Sequence, residues 1–417
     1  MEIFLQRAGS LVWGNALIIM LLATGAAYTV KLRGVQFRLI PYLLRNRKSK
    51  PQGGLSQRRT VCMALGTAMG TGNITGVAAA LSAGGAGAVL WMWVSAFFGM
   101  ALVYAENSLS AAYSDDDARG PLAYISKGLG LPALAGVFAV CCVLVSLGMG
   151  GMVQVNSFSD ALGNCAEIDP AVTVPAVFTV ILLITSGGAK RIGAAAEVLL
   201  PLAAVLYGAA CAVILFRFRS ELPSAFAEIF SSAFGTRQVS GGICGYTVSQ
   251  AVSTGIRRGV FSNEAGLGSL PLLHSASGDT DSVRQSMWSM FEVFFDTVIC
   301  CTLTALTLLC AAPDLSVGTA LGTVFGRYAE VFLAAVLGIF ALCTVIGWYY
   351  CGETAFTHLF RHRRIFCLLF ASVSALGAAF SPLTVWALSD IFNGIMAFVN
   401  VFALIVLFPE VKKYKTR

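Results

Sequence analysis

Charge is what this sequence has least of. Only 12% of its 417 residues are Asp, Glu, Lys or Arg, against about 25% in a soluble globular chain. That deficit excludes an ordinary soluble protein. Histidine is scarcer still, with three in all, and no two of the twelve cysteines are spaced as CxxC. No metal-ligand spacing appears. Cys141 with Cys142 and Cys300 with Cys301 lie in apolar runs and read as small packing residues. There is no Gly-Lys-Ser/Thr, which removes a phosphate loop. No polar stretch is long enough for a soluble domain of any size. What remains is work done inside a bilayer: transport, a channel, intramembrane enzymology or a purely structural bundle.

Long apolar runs are what the sequence does have. Hydrophobic residues make up 57% of it. Near-uncharged segments predict helices near 11–30, 61–82, 87–112, 132–160, 171–187, 195–216, 240–256, 287–312, 327–351, 365–380 and 383–408, about eleven transmembrane helices. The segment near 11–30 is too long for the apolar part of a signal peptide and reads as a retained span. The basic residues orient the chain. With the N-terminus outside and the C-terminus cytoplasmic, the inner loops 31–60, 113–131, 188–194, 257–286, 352–364 and 409–417 hold 23 of the 28 Lys and Arg. The loop over 31–60 has nine basic residues and no acidic one. It reads as a topology signal in contact with lipid headgroups rather than as a nucleic-acid surface.

One stretch resists the lipid reading. "GTAMGTGNITG" (66–76) packs glycines, threonines and an asparagine into mid-span. In hydrocarbon every backbone N–H and C=O must be satisfied internally, so unwinding is tolerated only where the backbone lines a protected cavity. Small residues also serve close helix packing. Thr71 and Asn73 at mid-span favour the unwound reading. A second such segment, "GGICGYTVSQAVSTGIRRGVFSNEAGLGS" (241–269), follows. Paired interrupted helices in matching positions point to a secondary transporter. With the first span set aside, ten spans divide into five and five, and an odd number of spans forces the halves to run in opposite senses. The divisions are then 1–60 (an N-terminal helix and basic loop), 61–220 and 221–417 (two five-helix repeats).

Six blocks carry a resemblance: "GTGNITG" (70–76), "GAVLWMWVSAFFGMALVYAE" (87–106), "GMVQVNS" (151–157), "RRGVFSNEAGLGS" (257–269), "FDTVICCTLTAL" (295–306) and "IGWYYCGE" (346–353). In these blocks and their order the chain resembles the alanine or glycine:cation symporter family. The resemblance implies an all-α multi-pass membrane protein with a leucine-transporter-like 5+5 inverted repeat and one extra N-terminal helix. It implies sodium-coupled import of alanine or glycine through the cell membrane, with sodium as co-substrate, no cofactor and no enzymatic reaction. A monomer in the lipid bilayer is expected, with no nucleic-acid partner. Carried over by motif, the substrate site takes Gly70, Thr71, Gly72 and Asn73 from the first broken helix, Gln154, Thr344 and Trp348, and the segment from Gln250 to Gly255.

The chemistry asked of these residues is specific. A zwitterion needs oriented N–H groups for its carboxylate and acceptors for its ammonium. An alkali cation needs hard oxygens. The carbonyls from Gly66 to Thr71 with the Thr344 hydroxyl supply such a cation site. Asp296, about ten residues inside its span, either joins a cation site or holds the bundle through a paired donor; an intramembrane carboxylate points to function. Gln250 either touches substrate or bonds helix to helix. Trp348 either caps the pocket and limits side-chain size or belongs to an interface belt, which its mid-span position fits poorly. Arg257, Arg258 and Glu264 read as an inner gate or as solvated topology charges, and Glu106 as structural or gating. His274, His358 and His362 fall in inner loops without catalytic partners. Proton coupling, a different amino acid such as serine, and a non-transporting sensor on the same fold are the alternatives.

Overall fold

The computed structural model describes residues 2–45, 53–166, 169–235 and 241–411. The centre of the basic loop (46–52), Arg237 and the basic end at 412–417 lie outside the described residues. Every regular element described is helical. They are α1 (Glu2–Val12), α2 (Asn15–Lys31), α3 (Leu39–Arg45), α4 (Gln57–Ala68), α5 (Thr75–Gly84) and α6 (Gly87–Tyr113). After them come α7 (Pro132–Ala166), α8 (Pro170–Thr185), α9 (Gly188–Arg217), α10 (Leu222–Ala233), α11 (Gly241–Asn263) and α12 (Ser269–His274). The last are α13 (Ser282–Ala311), α14 (Val317–Phe325), α15 (Ala329–Phe360), α16 (Arg363–Leu376) and α17 (Pro382–Val406).

Among the described residues six helices are long and apolar enough to cross a membrane, counting α14 and α15 as one, or seven if the bent pair from Asn15 to Arg45 is one span. The expected helix over 11–30 is interrupted: α1 ends at Val12 and α2 begins at Asn15, with the Trp13 indole donating to the Asp390 carbonyl at 2.8 Å. α10 lies where no span was expected.

Two helices break, for visible reasons. α4 ends at Ala68, Gly70 is extended, residues 71–73 make one tight turn, and α5 starts at Thr75. A Cβ on Gly70 would run into the Thr344 hydroxyl and, at 2.7 Å, the Gln154 Oε1, so only glycine lets the backbone pass there. α11 is continuous through Gln250 and Gly255 and ends at Asn263. The second break lies at the far end of the 241–269 stretch, beyond the Gln250 to Gly255 segment expected at the site. Glu264, Gly266 and Gly268 take left-handed φ of 59°, 87° and 82°, and α12 resumes at Ser269. Gly255 and Gly259 serve contact instead: a Cβ on either would meet α6, at Trp91 or Ser95.

Two unbroken helices carry wide π turns, which are frequent at functional sites. In α7 the π turns span Ser146–Met152, where Gly150 lies against the Trp348 ring. In α13 they span Phe294–Cys301. The turn at 71–73 touches α7, α11, α13 and α15, so the first break sits at the centre of the bundle.

Candidate functional site

The two breaks converge on Asp296. Its carboxylate accepts from Asn73 Nδ2 at 2.7 Å on one oxygen. On the other it accepts from Ser262 Oγ at 2.7 Å and Thr297 Oγ1 at 3.0 Å. Asn73 belongs to the first break and Ser262 to the last turn before the second. The π turn at 294–301 brings the donors Asn73 and Ser262 to one side chain. The Cys301 thiol also lies 3.4 Å from both Asn73 Nδ2 and Ser262 Oγ. Asp296 is fully buried and Asn73 is 2% exposed. No Lys, Arg or His pairs with Asp296 among the described residues. Three hydrogen bonds to a carboxylate, each worth about 1.5–3 kcal/mol, offset part of its burial but supply no countercharge. Asn73 Oδ1 is buried with no hydrogen-bond partner, an acceptor aimed at nothing the protein provides.

The first break is fixed on its other side by Gln154 and Thr344. Gln154 Oε1 accepts from the Thr71 amide and the Thr71 hydroxyl, both at 3.0 Å, and its Nε2 donates to the Met149 carbonyl at 3.1 Å. Thr344 Oγ1 donates to the Gly66 carbonyl at 2.9 Å. The Gly66 carbonyl, the Thr344 hydroxyl and the backbone near Thr71 are thus hard oxygens within one buried neighbourhood. Gly72 faces Phe261.

Trp348 is fully buried, one turn from Thr344 on α15. Its Nε1 donates to Glu264 Oε1 at 2.9 Å. The tryptophan therefore reaches the second break rather than standing free. Glu264 Oε2 takes the Ser269 hydroxyl, so the carboxylate staples the break to the start of α12. Gln250 is not brought to this cluster. It sits twelve residues before Ser262 on a continuous helix, or ~18 Å along the axis.

The expected inner gate is also taken apart. Arg257 and Arg258 stand on α11, across the break from α12. They pair with Asp390 of α17 at 3.3 and 3.7 Å. The Arg258 guanidinium lies 4.6 Å from the Trp386 ring, which stacks on Phe261 at 4.8 Å. This layer covers the first break from the α11 side. Glu106, on α6, bonds Asn400 at 2.6 Å, and Asn400 also donates to the Gly266 carbonyl at 2.9 Å, which makes Glu106 a brace of the second break. His274 is not a loop residue without partners. It ends α12, buried, with Gln285 and Glu292 on its two ring nitrogens.

Ser262, Asn263, Thr297 and Cys301 were not picked out by sequence reasoning. Their signal is the polar triplet Ser262-Asn263-Glu264 just ahead of Gly266 and Gly268, and hydroxyl and thiol groups flanking Asp296.

Comparison with known proteins agrees with this architecture. The sodium:alanine symporter family model matches residues 1–417. The chain is 39% identical over 430 residues to the sodium/alanine symporter AgcS of Methanococcus maripaludis, covering 96% of this chain and 94% of that one. It is 33% identical to the probable sodium/glutamine symporter GlnT of Bacillus subtilis, over 98% of this chain and 89% of that one. It is 32% identical to the putative sodium/proton-dependent alanine carrier protein YrbD of Bacillus subtilis, over 97% of this chain and 90% of that one. Among solved structures, MhsT in complex with L-phenylalanine superposes with a TM-score of 0.61 at 15% identity, covering 86% of this chain and 90% of that one. That likeness concerns the fold, which is of the leucine-transporter kind. The chain is a multi-pass membrane protein of a transporter family, and it belongs to the sodium:alanine symporter family.

Proposed function

We propose that the protein is a sodium-coupled symporter that imports small neutral amino acids, alanine or glycine, by alternating access. The observation that carries the reading is the Asp296 carboxylate. It is buried at the junction of both broken helices, bonded to donors from each, with no cationic partner among the described residues, and beside the unpartnered Asn73 Oδ1. A sodium ion is the countercharge that such a site lacks, since a buried charge without one costs several kcal/mol. The Gly66 carbonyl with Thr71 and Thr344 forms a second set of hard oxygens for the same ion or another. The substrate zwitterion sits against Gly70, Thr71, Gly72 and Asn73, with Gln154 and Thr344 beside it and Trp348 limiting its size. Gln250 has no part in this reading.

Eleven spans in a 5+5 inverted repeat after one extra helix fit the element order, with the breaks opening the two halves. Moving Arg257 and Arg258 to the outer half still leaves 21 of the 28 Lys and Arg on the cytoplasmic side. The positive-inside orientation, N-terminus outside and C-terminus cytoplasmic, therefore keeps its support. The Arg257–Arg258–Asp390 layer is then the closed outer lid. The protein acts as a monomer in the cell membrane. A second reading, proton coupling, is favoured by the buried His274–Glu292 pair and by the name of one relative.

Uptake of labelled alanine and glycine into proteoliposomes under imposed sodium or proton gradients tests the function. Accumulation driven by sodium is expected. Uptake that is unchanged when sodium is removed overturns the sodium reading, and binding without any uptake points to a sensor on the same fold.

A further inference from the structure

The two broken helices are fastened to each other at the ends remote from their breaks. Ahead of α4, the Leu55 amide donates to the Ala276 carbonyl and the Gly278 amide to the Leu55 carbonyl, both at 2.9 Å, a single parallel β-bridge. Gly54 makes the approach possible, for a Cβ there would stand 2.6 Å from the Gly278 nitrogen. Beside the bridge, Gln57, the first residue of α4, accepts from Gln285 Nε2 at 2.7 Å. Gln285 Oε1 lies 2.6 Å from His274 Nδ1, at the last residue of α12. His274 Nε2 lies 3.1 and 3.0 Å from the two oxygens of Glu292 on α13. His274 and Glu292 side chains are 2% and 0% exposed.

Hydrogen-bond logic fixes the proton count of this chain. Gln285 Nε2 faces the Asp279 carbonyl at 3.3 Å as well as Gln57. A main-chain carbonyl only accepts, so the amide cannot be turned over without placing oxygen against oxygen. Gln285 therefore presents its oxygen to Nδ1, which must carry a hydrogen. Nε2 is then the variable position, and it faces only carboxylate oxygens. One proton between Nε2 and Glu292 satisfies the pair. Without it, a bare ring nitrogen confronts a carboxylate in a buried place. Among the described residues Glu292 forms an ion pair with His274 alone.

Other titratable groups around the pair come from every neighbouring element. Cys62 on α4 and Glu264 at the second break lie within electrostatic reach of Glu292. Arg284 on α13 is turned onto Asp279 and Asp281, and Tyr350 on α15 is bonded at Ser275. α6 contributes neutral contacts, Asn107 to Ser289 and the Tyr104 carbonyl to Ser286. None of these replaces the missing proton.

We propose that His274 and Glu292 form a proton-binding site that latches α12 to α13, where Gln285 and the Leu55 bridge in turn hold α4, and that loss of its proton to solvent water loosens the seating of both half-helices. The latch is present while the proton is bound and is lost as pH rises past the titration of the pair. Its consequence for transport, release of the inner half of both broken helices together, rests on the symporter reading; the proton site itself does not.

The test is hydrogen–deuterium exchange on the full chain in lipid nanodiscs, corrected for intrinsic rates, from about pH 5 to about pH 9. Amides over 53–60 and 275–280 are followed. In the wild type their protection falls at least tenfold across that range. In the H274Q/E292Q double variant, which removes the titration without stranding a buried charge, protection is independent of pH. Wild-type protection that stays flat over the range overturns the proposal with no variant needed. A double variant with the wild-type pH dependence overturns it too. Sodium-driven uptake with flat exchange removes the proton site and leaves the symporter. A pH-dependent latch in a protein that does not transport removes the symporter and leaves the proton site.

Discussion

Asn73 Nδ2 donates to Asp296 Oδ1 at 2.7 Å across 223 residues of sequence. That bond joins the first broken helix to the π turns of α13, and Ser262 joins the second broken helix to the same carboxylate at 2.7 Å. The unwound segments are held by a side chain rather than by each other. An ion that engages this carboxylate acts on both breaks at once, which is the linkage that symport requires.

Asp296→Asn keeps the size and one acceptor but removes the charge. Sodium affinity is expected to fall at least tenfold, about 1.4 kcal/mol, with the protein still folded. Sodium titration of alanine binding measures it. Asn73→Ala removes a hydrogen bond to a carboxylate, about 1.5–3 kcal/mol, and is expected to abolish uptake while membrane insertion persists.

Gly70→Ala puts a methyl group against the Thr344 hydroxyl and Gln154 Oε1. Overpacking of this kind costs about 1–3 kcal/mol. Uptake is expected to be lost with a modest drop in thermal stability. Gly136→Ala, which meets nothing within 4 Å, is the matched control and is expected to leave both unchanged.

Trp348→Phe retains the ring packing against Gly150 but strips the donor from Glu264 Oε1. A buried acceptor left open costs about 1–3 kcal/mol. The expected result is a lower melting temperature and faster amide exchange over 264–269, read by mass spectrometry, rather than a simple change of substrate size.

Asp390→Asn weakens the layer over the first break. Breaking a fully buried ion pair costs about 3–5 kcal/mol, and less is expected here because the Arg257 side chain is 26% exposed. Amide exchange over 253–263 is expected to rise, and the rest of α11 to change little.

Much of this was legible in the sequence, and the exceptions have physical causes. The break at Gly70 was readable because its glycines, threonines and asparagine interrupt an otherwise apolar span. The second break falls inside the stretch 241–269, but the sequence does not say where within it, because glycine has two uses inside a membrane. At Gly255 and Gly259 it permits close approach to α6, and at Gly266 and Gly268 it permits a left-handed backbone. Composition alone does not separate these uses. Asp296 was noticed as a costly carboxylate, but its partners Ser262 and Asn73 come from remote segments brought together by a π turn that no periodicity announces. His274 was read as a loop residue because α12 is only six residues long. Arg257 and Arg258 resemble an inner loop for a different reason, their helix running further than its apolar stretch.

In the proposed symport one ion and one substrate share the junction at Asp296. Equilibrium binding of alanine to the purified protein, measured against sodium with choline as the replacement cation, tests this most directly. Sodium is expected to tighten alanine at least fivefold, alanine to tighten sodium by the same factor, and Asp296→Asn to remove both effects. Alanine affinity that is equal in sodium and in choline contradicts it.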